Sequence, residues 1–484
     1  MRPESHRGAG AWGALRVPLS RVDRAFLNME RTTNPMVIVA LIVLGAPLAR
    51  SRFRDRIAAR FASSERFRSF PVEGLSEAFW QRFDQFNIDD HVLSAALPAP
   101  GGQRELQTLV GELASEPLPA GRPLWSFHVI ERFGRGSAII ARIHHCYADG
   151  IALVRVLLNL TDRRPSRAQR PARRAGDGLD AAPDAAAPLS TTESAAGWVS
   201  QALSEGMRLA ETGVHLALHP EAAATAAGQV STLVAELAHI SFLADDPPTS
   251  LKRPLSGNRR VAWGKSLSLE EVNTIGRVLG CTVNDVLIST LAGALGQYLR
   301  TQGEAIEGLT LRAAVPVDLR AAQSGDDSLG NRFGLVFVEL PVGVRHPLQR
   351  LYGVRAAMQT LKGSEQALLT YGLLATVGSL PRPVEDVVMN LFSAKASLVA
   401  SNLRGPEAPL FIAGAPLRQV LFWVPQSGSI GTGVSMLSYN GRVHFGVIAD
   451  RELIPHPADL IARINAAFEQ LVLLVLLGGN ALAT

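Results

Sequence analysis

The sequence reads Ile143-His144-His145-Cys146-Tyr147-Ala148-Asp149-Gly150 where a predicted strand meets a predicted helix. Residues 137–143 are short, apolar and β-branched after a Gly134-Arg135-Gly136 turn, which is typical of a strand. Apolar residues recur at helical spacing after this stretch, at Ile151, Val154, Leu157 and Leu158. Because an imidazole titrates near neutral pH, either histidine could accept a proton from a hydroxyl or amine nucleophile.

Other interpretations of this stretch have to be weighed against catalysis. A histidine pair is often structural. His144, His145 and Asp149 are metal-ligand types, but no nearby Cys/His cluster or His-Glu-x-x-His helix completes a set, so we expect no metal site. A Ser/His/Asp hydrolase is disfavoured because the chain has no Gly-x-Ser-x-Gly turn. Cys146 could be a nucleophile, but a motif that needs a base makes it more plausible as a space-filling residue.

The complete pattern of two histidines, three residues and Asp-Gly resembles the active-site motif of acyltransferases with the chloramphenicol-acetyltransferase-like fold. Condensation domains of peptide synthetases share that motif. Further segments resemble the bacterial wax ester synthase/diacylglycerol acyltransferase family, and the resemblance extends from about residue 17 to about residue 477. These segments are Pro18-Leu19-Ser20-Arg21-Val22-Asp23, Arg122-Pro123-Leu124-Trp125, Thr282-Val283-Asn284-Asp285-Val286, Val315-Pro316-Val317-Asp318-Leu319-Arg320, Gly330-Asn331-Arg332-Phe333-Gly334 and Ser401-Asn402-Leu403-Arg404-Gly405-Pro406. Arg404 departs from the pattern, which has a smaller or apolar residue there.

The resemblance implies an α+β fold of two chloramphenicol-acetyltransferase-like domains, each a mixed β-sheet flanked by helices, with an active-site channel between them. A chain of 484 residues is too long for one ordinary core, which agrees with two domains. We assign residues 16–162 to the N-terminal domain and 251–478 to the C-terminal domain. Residues 163–190 are rich in Arg, Pro, Ala and Asp and predict a disordered linker, followed by connecting helices up to residue 250.

The resemblance also implies roles within the motif. His145, four residues before the aspartate, is the expected general base, and His144 is expected to position the loop. Asp149 is expected to be structural and to pair with an arginine that the sequence does not identify. Gly150 is expected to let the backbone bend close to the site.

Two segments of the second domain are expected to line the channel. Asn284 and Asp285 would face the histidine across it, although the same pair after Thr282 is also typical of simple helix capping. Ser401 and Asn402 are the other expected channel residues.

Local signals predict several elements outside the motif. Capping boxes are predicted for Ser20 with Asp23, Ser268 with Glu271 and Thr282 with Asp285. Asn440-Gly441 predicts a hairpin turn. The apolar residues 36–44 predict a buried strand, and residues 471–477 are too few to span a bilayer, so we expect no transmembrane segment. Other strands are predicted at 309–315, 335–340, 396–401, 434–438 and 443–448, and a closing helix at 457–477.

Composition bears on the partners. The chain has 48 Lys and Arg against 43 Asp and Glu, a net charge of +5, and most of the basic residues are arginine. This excess is explained either by a solvated Arg-rich surface or by attraction to anionic lipid headgroups and coenzyme A phosphates. No nucleic-acid partner is expected, because the basic residues are not interleaved with aromatic ones. Only two cysteines occur, which suits a reducing cytosol.

The function implied by the resemblance is O-acyl transfer from acyl-CoA to diacylglycerol or a long-chain alcohol, giving triacylglycerol or wax ester. No cofactor is expected, because acyl-CoA is itself the activated substrate and no covalent acyl-enzyme is required. Two alternatives remain, a condensation-type enzyme that uses a carrier-protein thioester and an inactive lipid-binding protein. We expect a cytoplasmic protein, peripherally associated with a membrane or lipid inclusion.

Overall fold

A computed structural model describes residues 17–74, 78–163, 243–320, 330–362, 364, 366–378 and 382–481. Apart from residue 163, the predicted linker at 163–190 lies outside these residues, as do most of the predicted connecting helices, so both stay predictions.

Sixteen strands and ten α-helices are described in these ranges. The strands are β1 (Val17–Pro18), β2 (Val37–Leu44), β3 (Ser69–Glu73), β4 (Ala78–Arg82), β5 (Val92–Ser94), β6 (Trp125–Phe133), β7 (Gly136–His144), β8 (Arg259–Trp263), β9 (Leu267–Ser268), β10 (Leu311–Asp318), β11 (Phe333–Leu340), β12 (Leu398–Arg404), β13 (Phe411–Ile412), β14 (Ala415–Trp423), β15 (Thr432–Tyr439) and β16 (Arg442–Asp450). The helices are α1 (Arg21–Asn28), α2 (Arg50–Arg60), α3 (Gln103–Ser115), α4 (Gly150–Asn159), α5 (Leu269–Leu279), α6 (Val283–Thr301), α7 (Pro347–Lys362), α8 (Gln366–Val377), α9 (Arg382–Ala394) and α10 (Pro457–Ala481).

The N-terminal sheet has six strands in the order β13-β14-β2-β7-β6-β5. Its two central N-terminal strands, β2 and β7, are almost continuously apolar because both faces of the sheet are covered. They run antiparallel, with Val37 opposite His144 and Ala40 opposite Ala141. This register places the end of β7, and therefore the two histidines, at the end of the sheet where β2 begins. A separate sheet, β1-β4-β3, lies outside this path.

The C-terminal sheet follows the order β11-β10-β12-β15-β16-β8, with β9 paired to β16. It is mixed, since β10, β12 and β15 are parallel neighbours and the other pairs are antiparallel. Helix α6 is buried along most of its length and packs with α10 in the core of this domain. The predicted α+β architecture with mixed sheets and flanking helices is confirmed.

Strands β13 and β14 belong to the N-terminal sheet and not to the sheet of the C-terminal domain. Although they follow residue 251 in sequence, β14 pairs with β2 of the N-terminal sheet, with Phe422 opposite Ala40. The bounds 251–478 for the C-terminal domain stay a prediction, and within them β13 and β14 cross over to the N-terminal sheet. The hydrophobic pattern of β14 shows that it is a strand, but a pattern contains no information about which sheet edge it joins.

Local turn and cap chemistry agrees with the sequence. Asn440 and Gly441 have φ values of +48° and +72°, as a tight hairpin between β15 and β16 requires. Thr282 and Asp285 form a reciprocal capping box, with hydrogen bonds of 3.2 and 2.7 Å. At Ser268 only half of the predicted capping box is present: the Glu271 N–H donates to Ser268 Oγ at 3.3 Å, and no return bond from the Glu271 carboxylate is described.

Helix α10 extends to Ala481, beyond the predicted end of the closing helix at residue 477. Within the described residues, Pro457–Gly478 is apolar and long enough to cross a membrane by length and composition. The bent pair α5–α6 passes the same test, but its two helices meet at 101°. The inner face of α10 packs in the domain core, through residues such as Leu460, Ile464 and Leu471. That packing is typical of a helix in a domain core. The length and composition of α10 therefore do not by themselves show that it crosses a membrane.

Candidate active site

The two histidines lie in a buried turn, residues 144–149, which we call the His-His loop. His144 ends β7, and Asp149 is the N-cap of α4, where its Oδ1 accepts the Ala152 N–H at 2.8 Å. The Tyr147 N–H donates to the His144 carbonyl at 3.1 Å and tightens the turn. A short polar side chain at the N-cap allows α4 to begin immediately after the loop.

His145 is buried and lies between two aromatic side chains. Its ring stacks on Phe26 with centroids 4.0 Å apart, and Phe333 lies 5.7 Å away. Burial lowers the pKa of His145 to about 4 by disfavouring the charged imidazolium, although the nearby Asp149 carboxylate acts in the opposite direction. The imidazole is therefore neutral at physiological pH, which is the form that can accept a proton.

His144 has a different set of contacts. Its Nδ1 accepts the Cys146 N–H at 3.1 Å, and its Nε2 lies 3.3 Å from Glu30 Oε2. The same Glu30 oxygen accepts the Met36 N–H at 2.5 Å. Because the ring is turned towards the loop backbone and Glu30, these contacts suit a positioning role.

The arginine partner of Asp149 is Arg320. Its Nη2 donates to Asp149 Oδ2 at 2.7 Å and to the Gly330 carbonyl at 2.8 Å, while Nη1 lies 3.1 Å from Asp318. The Asp149 and Arg320 side chains are only 3% and 4% exposed. Burial opposes the charge of Arg320, but the hydrogen bonds and charges of the two aspartates outweigh it and raise the pKa of the guanidinium. The segment Val315 to Arg320 thus holds the His-His loop from the second domain.

Asp23 anchors the other side of the loop. Ser20 caps α1 as predicted, at 3.0 Å from the Asp23 N–H, but the Asp23 carboxylate does not return to the cap. It instead accepts Asn331 Nδ2 at 2.7 Å and Arg66 Nη2 at 2.9 Å. The predicted capping box at this position is therefore only half formed, because tertiary partners take the carboxylate.

The partners of Asp23 hold the backbone of the His-His loop. Asn331 Nδ2 also donates to the His145 carbonyl at 2.8 Å. Arg66 Nη2 lies 3.2 Å from the carbonyls of both Cys146 and Tyr147. The carbonyls of three successive loop residues are thus held by side chains from distant segments. The sequence contained no signal for Arg66, which is one arginine among many, whereas Asn331 lies in a segment already singled out.

The four predicted channel residues have separate local roles. Asn402 Nδ2 donates to Asn284 Oδ1 at 2.5 Å, so these two segments meet. Asp285 is buried and uses its carboxylate in the α6 capping box, and Ser401 is buried in β12. Within the described ranges, no direct hydrogen bond joins any of the four to His145, and their role as channel residues stays a prediction.

Gly150 differs from its predicted role. It is the first residue of α4, and its φ is outside the left-handed region. A Cβ there would lie 3.8 Å from Val424 and 3.9 Å from Leu403, which is ordinary van der Waals contact. The backbone therefore needs no glycine for a bend, and the missing side chain leaves space at the start of α4 instead.

Two further residues singled out in the sequence have clear positions. Burial raises the pKa of the Cys146 thiol well above its usual value, which disfavours a thiolate nucleophile. Arg404 is 83% exposed and pairs with Glu407 at 2.7 Å, so it does not line the buried part of the site. The described residues contain no group of three or more His, Cys, Asp or Glu side chains that could hold a metal ion.

The two mixed sheets and the His-His loop held between segments of both domains place the chain among acyltransferases with the chloramphenicol-acetyltransferase-like fold. A family model for the wax ester synthase/diacylglycerol acyltransferase catalytic domain matches residues 19–287. The model for the WS/DGAT C-terminal domain matches residues 329–472. The protein belongs to this family of O-acyltransferases, as the sequence motifs predicted.

Curated and solved proteins agree with this assignment. The probable diacylglycerol O-acyltransferase tgs1 of Mycobacterium tuberculosis is 29% identical, over 94% of this chain and 95% of its own length. The wax ester synthase/diacylglycerol acyltransferase structure from Marinobacter aquaeolei VT8 has a TM-score of 0.67 at 21% identity and covers 95% of this chain and 99% of that one. The first condensation domain of the calcium-dependent antibiotic synthetase has a TM-score of 0.57 at 15% identity, covering 95% and 96%. These two structures bear on the fold alone.

Proposed function

We propose that the protein transfers a fatty acyl group from acyl-CoA to the hydroxyl of diacylglycerol or a long-chain alcohol, with His145 as general base. The observation that carries this mechanism is the buried, neutral His145 in a loop held from both domains. The relatives named as diacylglycerol O-acyltransferases support the choice of substrates. They also favour this activity over a condensation reaction with a carrier-protein thioester.

The reaction requires one base and no bound cofactor. His145 takes the proton of the acceptor hydroxyl while its oxygen attacks the thioester carbonyl carbon, so that a C–O bond forms. The C–S bond then breaks, and the coenzyme A thiolate takes the proton from the imidazolium. Because the thioester is already activated, no redox or covalent acyl-enzyme step is needed.

The contacts of the loop explain how His145 can act as a positioned base. Asn331 donates to the His145 carbonyl, Arg66 donates to the next two carbonyls of the loop, and Phe26 stacks on the His145 ring. A side chain held in this way loses little freedom on reaching the transition state, which is the origin of much of the rate gain in positioned catalysis.

His145→Ala tests the mechanism. We expect turnover to fall by roughly 10²–10⁴-fold, the usual effect of removing a positioned base. His144→Ala should lower turnover less, and the exposed His346→Ala is a matched control that should leave it unchanged. Labelled acyl-CoA with a panel of diacylglycerols, fatty alcohols and carrier-bound acceptors would measure both turnover and acceptor class. Full activity of His145→Ala would exclude this mechanism at the His-His loop.

We also propose a cytoplasmic location with peripheral association to a membrane or lipid-inclusion surface. The last turns of α10 support it, because Leu473, Leu476 and Leu477 are 56%, 62% and 67% exposed. Exposed leucines grouped on one helix end are unusual on a protein surface in contact only with water. The net positive charge would add attraction to anionic lipid.

Flotation with liposomes tests the association. We expect binding to anionic vesicles that weakens with salt, and weaker binding when the three leucines are replaced by glutamine. Equal replacement of exposed Val278, Tyr352 and Leu368 on other helices provides a control. Absence of flotation with any vesicle would contradict the proposal.

A further inference from the structure

Residues 30–36, between α1 and β2, contact the His-His loop, and we call them the β2 entry turn. The Met36 carbonyl accepts the His145 N–H at 2.7 Å. At the other end of the turn, the Glu30 carboxylate lies 3.3 Å from His144 Nε2 and accepts the Met36 N–H. A displacement of this turn would therefore be felt by both histidines.

The β2 entry turn is closed by its own backbone. The Asn34 N–H donates to the Arg31 carbonyl at 3.0 Å, and the Arg31 N–H donates to the Asn34 carbonyl at 3.4 Å. The Arg31 guanidinium also pairs with Asp386 of α9. Because the two backbone hydrogen bonds tie residue 31 to residue 34, a movement at Asn34 is passed to both ends of the turn.

The Asn34 side chain fixes the β2 entry turn to the second domain. It is buried, and its Nδ2 donates to the carbonyls of Gly428 and Ile430 at 2.9 and 3.1 Å. Its Oδ1 accepts a hydrogen bond from Arg259 Nη2 of β8. Asn34 thus binds both β8 and the segment that leads into β15, two strands of the C-terminal sheet.

The second domain also contacts the backbone of the turn. Arg259 Nη2 donates to the Thr33 carbonyl at 3.1 Å, and its Nη1 donates to the Gly431 carbonyl at 3.2 Å. Burial lowers the pKa of Arg259 to about 10, so the guanidinium keeps its charge at neutral pH and needs these acceptors. A Cβ added at Gly257 would lie only 3.1 Å from Thr33 Cα. The turn is therefore held closely by the C-terminal sheet.

We infer that Asn34 is a positioning residue for acyl transfer, which acts through the β2 entry turn to set the place of His145 relative to the second domain. The inference rests on the proposed function, because it requires His145 to be the base. Among the described residues, the Asn34 side chain makes no hydrogen bond to the His-His loop, so its effect on the base is indirect. A misplacement of about 1 Å is enough to cost about 100-fold in rate.

Asn34→Ala removes all three side-chain hydrogen bonds and tests the inference. We expect kcat to fall by roughly 10- to 100-fold, with KM changed by less than about twofold, because substrate contacts are unaltered. Gln107→Ala is the matched control. Gln107 is another amide that joins the two domains, since it donates from α3 to the Trp263 carbonyl of β8 at 3.0 Å, but it lies outside the turn. Its replacement should leave kcat unchanged.

The double variant Asn34→Ala/His145→Ala separates positioning from a general structural defect. If Asn34 acts through His145, its replacement should lower the residual turnover of His145→Ala by less than about twofold, because the group that it positions is gone. An equal loss of turnover in the wild-type and His145→Ala backgrounds would overturn the inference. An unchanged kcat in Asn34→Ala, or a loss confined to KM, would overturn it as well.

Asn34→Asp provides the second measurement if Asn34→Ala does not fold. The carboxylate has the shape of the amide and still accepts from Arg259, but it lacks the donors to Gly428 and Ile430. We expect kcat to fall by roughly 3- to 10-fold, again only when His145 is present, and an unchanged kcat would contradict the role of Asn34. Urea unfolding verifies that each variant is folded. Full activity of His145→Ala alone would contradict the proposed function, whereas equal losses in both backgrounds would overturn only the role of Asn34.

Discussion

Arg320→Met isolates the ion pair that joins the His-His loop to the second domain. Methionine keeps much of the length of the side chain but removes the charge and all of its hydrogen-bond donors. Among the residues that the structure describes, the Asp149 carboxylate would then keep two backbone donors, the Ala152 N–H at 2.8 Å and the Arg332 N–H at 3.0 Å. The carbonyl of Gly330 would lose its 2.8 Å contact with the guanidinium.

The size of the effect follows from burial. Removing one partner of a buried ion pair costs about 3–5 kcal/mol, because the other charge stays without compensation. We expect Arg320→Met to lower the free energy of unfolding by about 3 kcal/mol. This value is at the lower end of the range because two backbone donors still reach Asp149. Turnover should also fall by about 100-fold, since a displacement of the base by about 1 Å is enough for such a loss.

Urea unfolding and steady-state kinetics measure the two effects, and Arg345→Met is the control. Arg345 pairs with Glu307 at the same distance of 2.7 Å, but both side chains are more than two-thirds exposed, at 68% and 67%. That exposed pair should contribute at most about 1 kcal/mol. Combining Arg320→Met with Asp149→Asn should cost less than the sum of the single changes, by about 1–3 kcal/mol. The reasoning would be refuted if the stability losses of Arg320→Met and Asp149→Asn were additive in the double variant. Equal destabilisation by Arg320→Met and Arg345→Met would refute it as well.

Three further predictions concern neighbouring groups. Asn331→Ala should destabilise the fold by about 1–3 kcal/mol in urea unfolding, because Asp23 and the His145 carbonyl lose a buried donor. Because only unprotonated His145 accepts a proton and its pKa is lowered to about 4, kcat/KM should be flat between about pH 6 and 8 and fall as pH decreases through about 4; an inflection near 6.5 would argue against it. Burial raises the pKa of Glu385 to about 7, so its contribution to stability is complete below its unfolded pKa near 4.5 and is lost as pH rises through about 7. Glu385→Gln should remove this pH dependence, which amounts to about 1–2 kcal/mol after allowing for solvent screening, in melting curves compared at about pH 5 and 7.5.

The local chemistry of the chain was readable from its sequence. The strand before His144, the helix after Asp149, the N-caps at Ser268 and Thr282 and the hairpin at Asn440 depend on residues within a few positions of one another. Periodicity and turn preferences act over such distances, so they predict these elements without knowledge of the fold. The motif around His145 likewise identified the family.

Tertiary structure alone decided which distant residues complete the site. Arg320 is 171 positions from Asp149, and Asn331 is 186 positions from the His145 carbonyl that it contacts. Nothing local distinguishes Arg66 among the many arginines of the chain, and the segment that contains Arg320 did not show which carboxylate this arginine pairs with, because a guanidinium can pair with any carboxylate that folding brings within reach. The pairing of β14 with β2 has the same origin, since an apolar strand can satisfy its hydrogen bonds at any open sheet edge. Sequence therefore determined the reactive loop, and long-range packing determined what holds it in place.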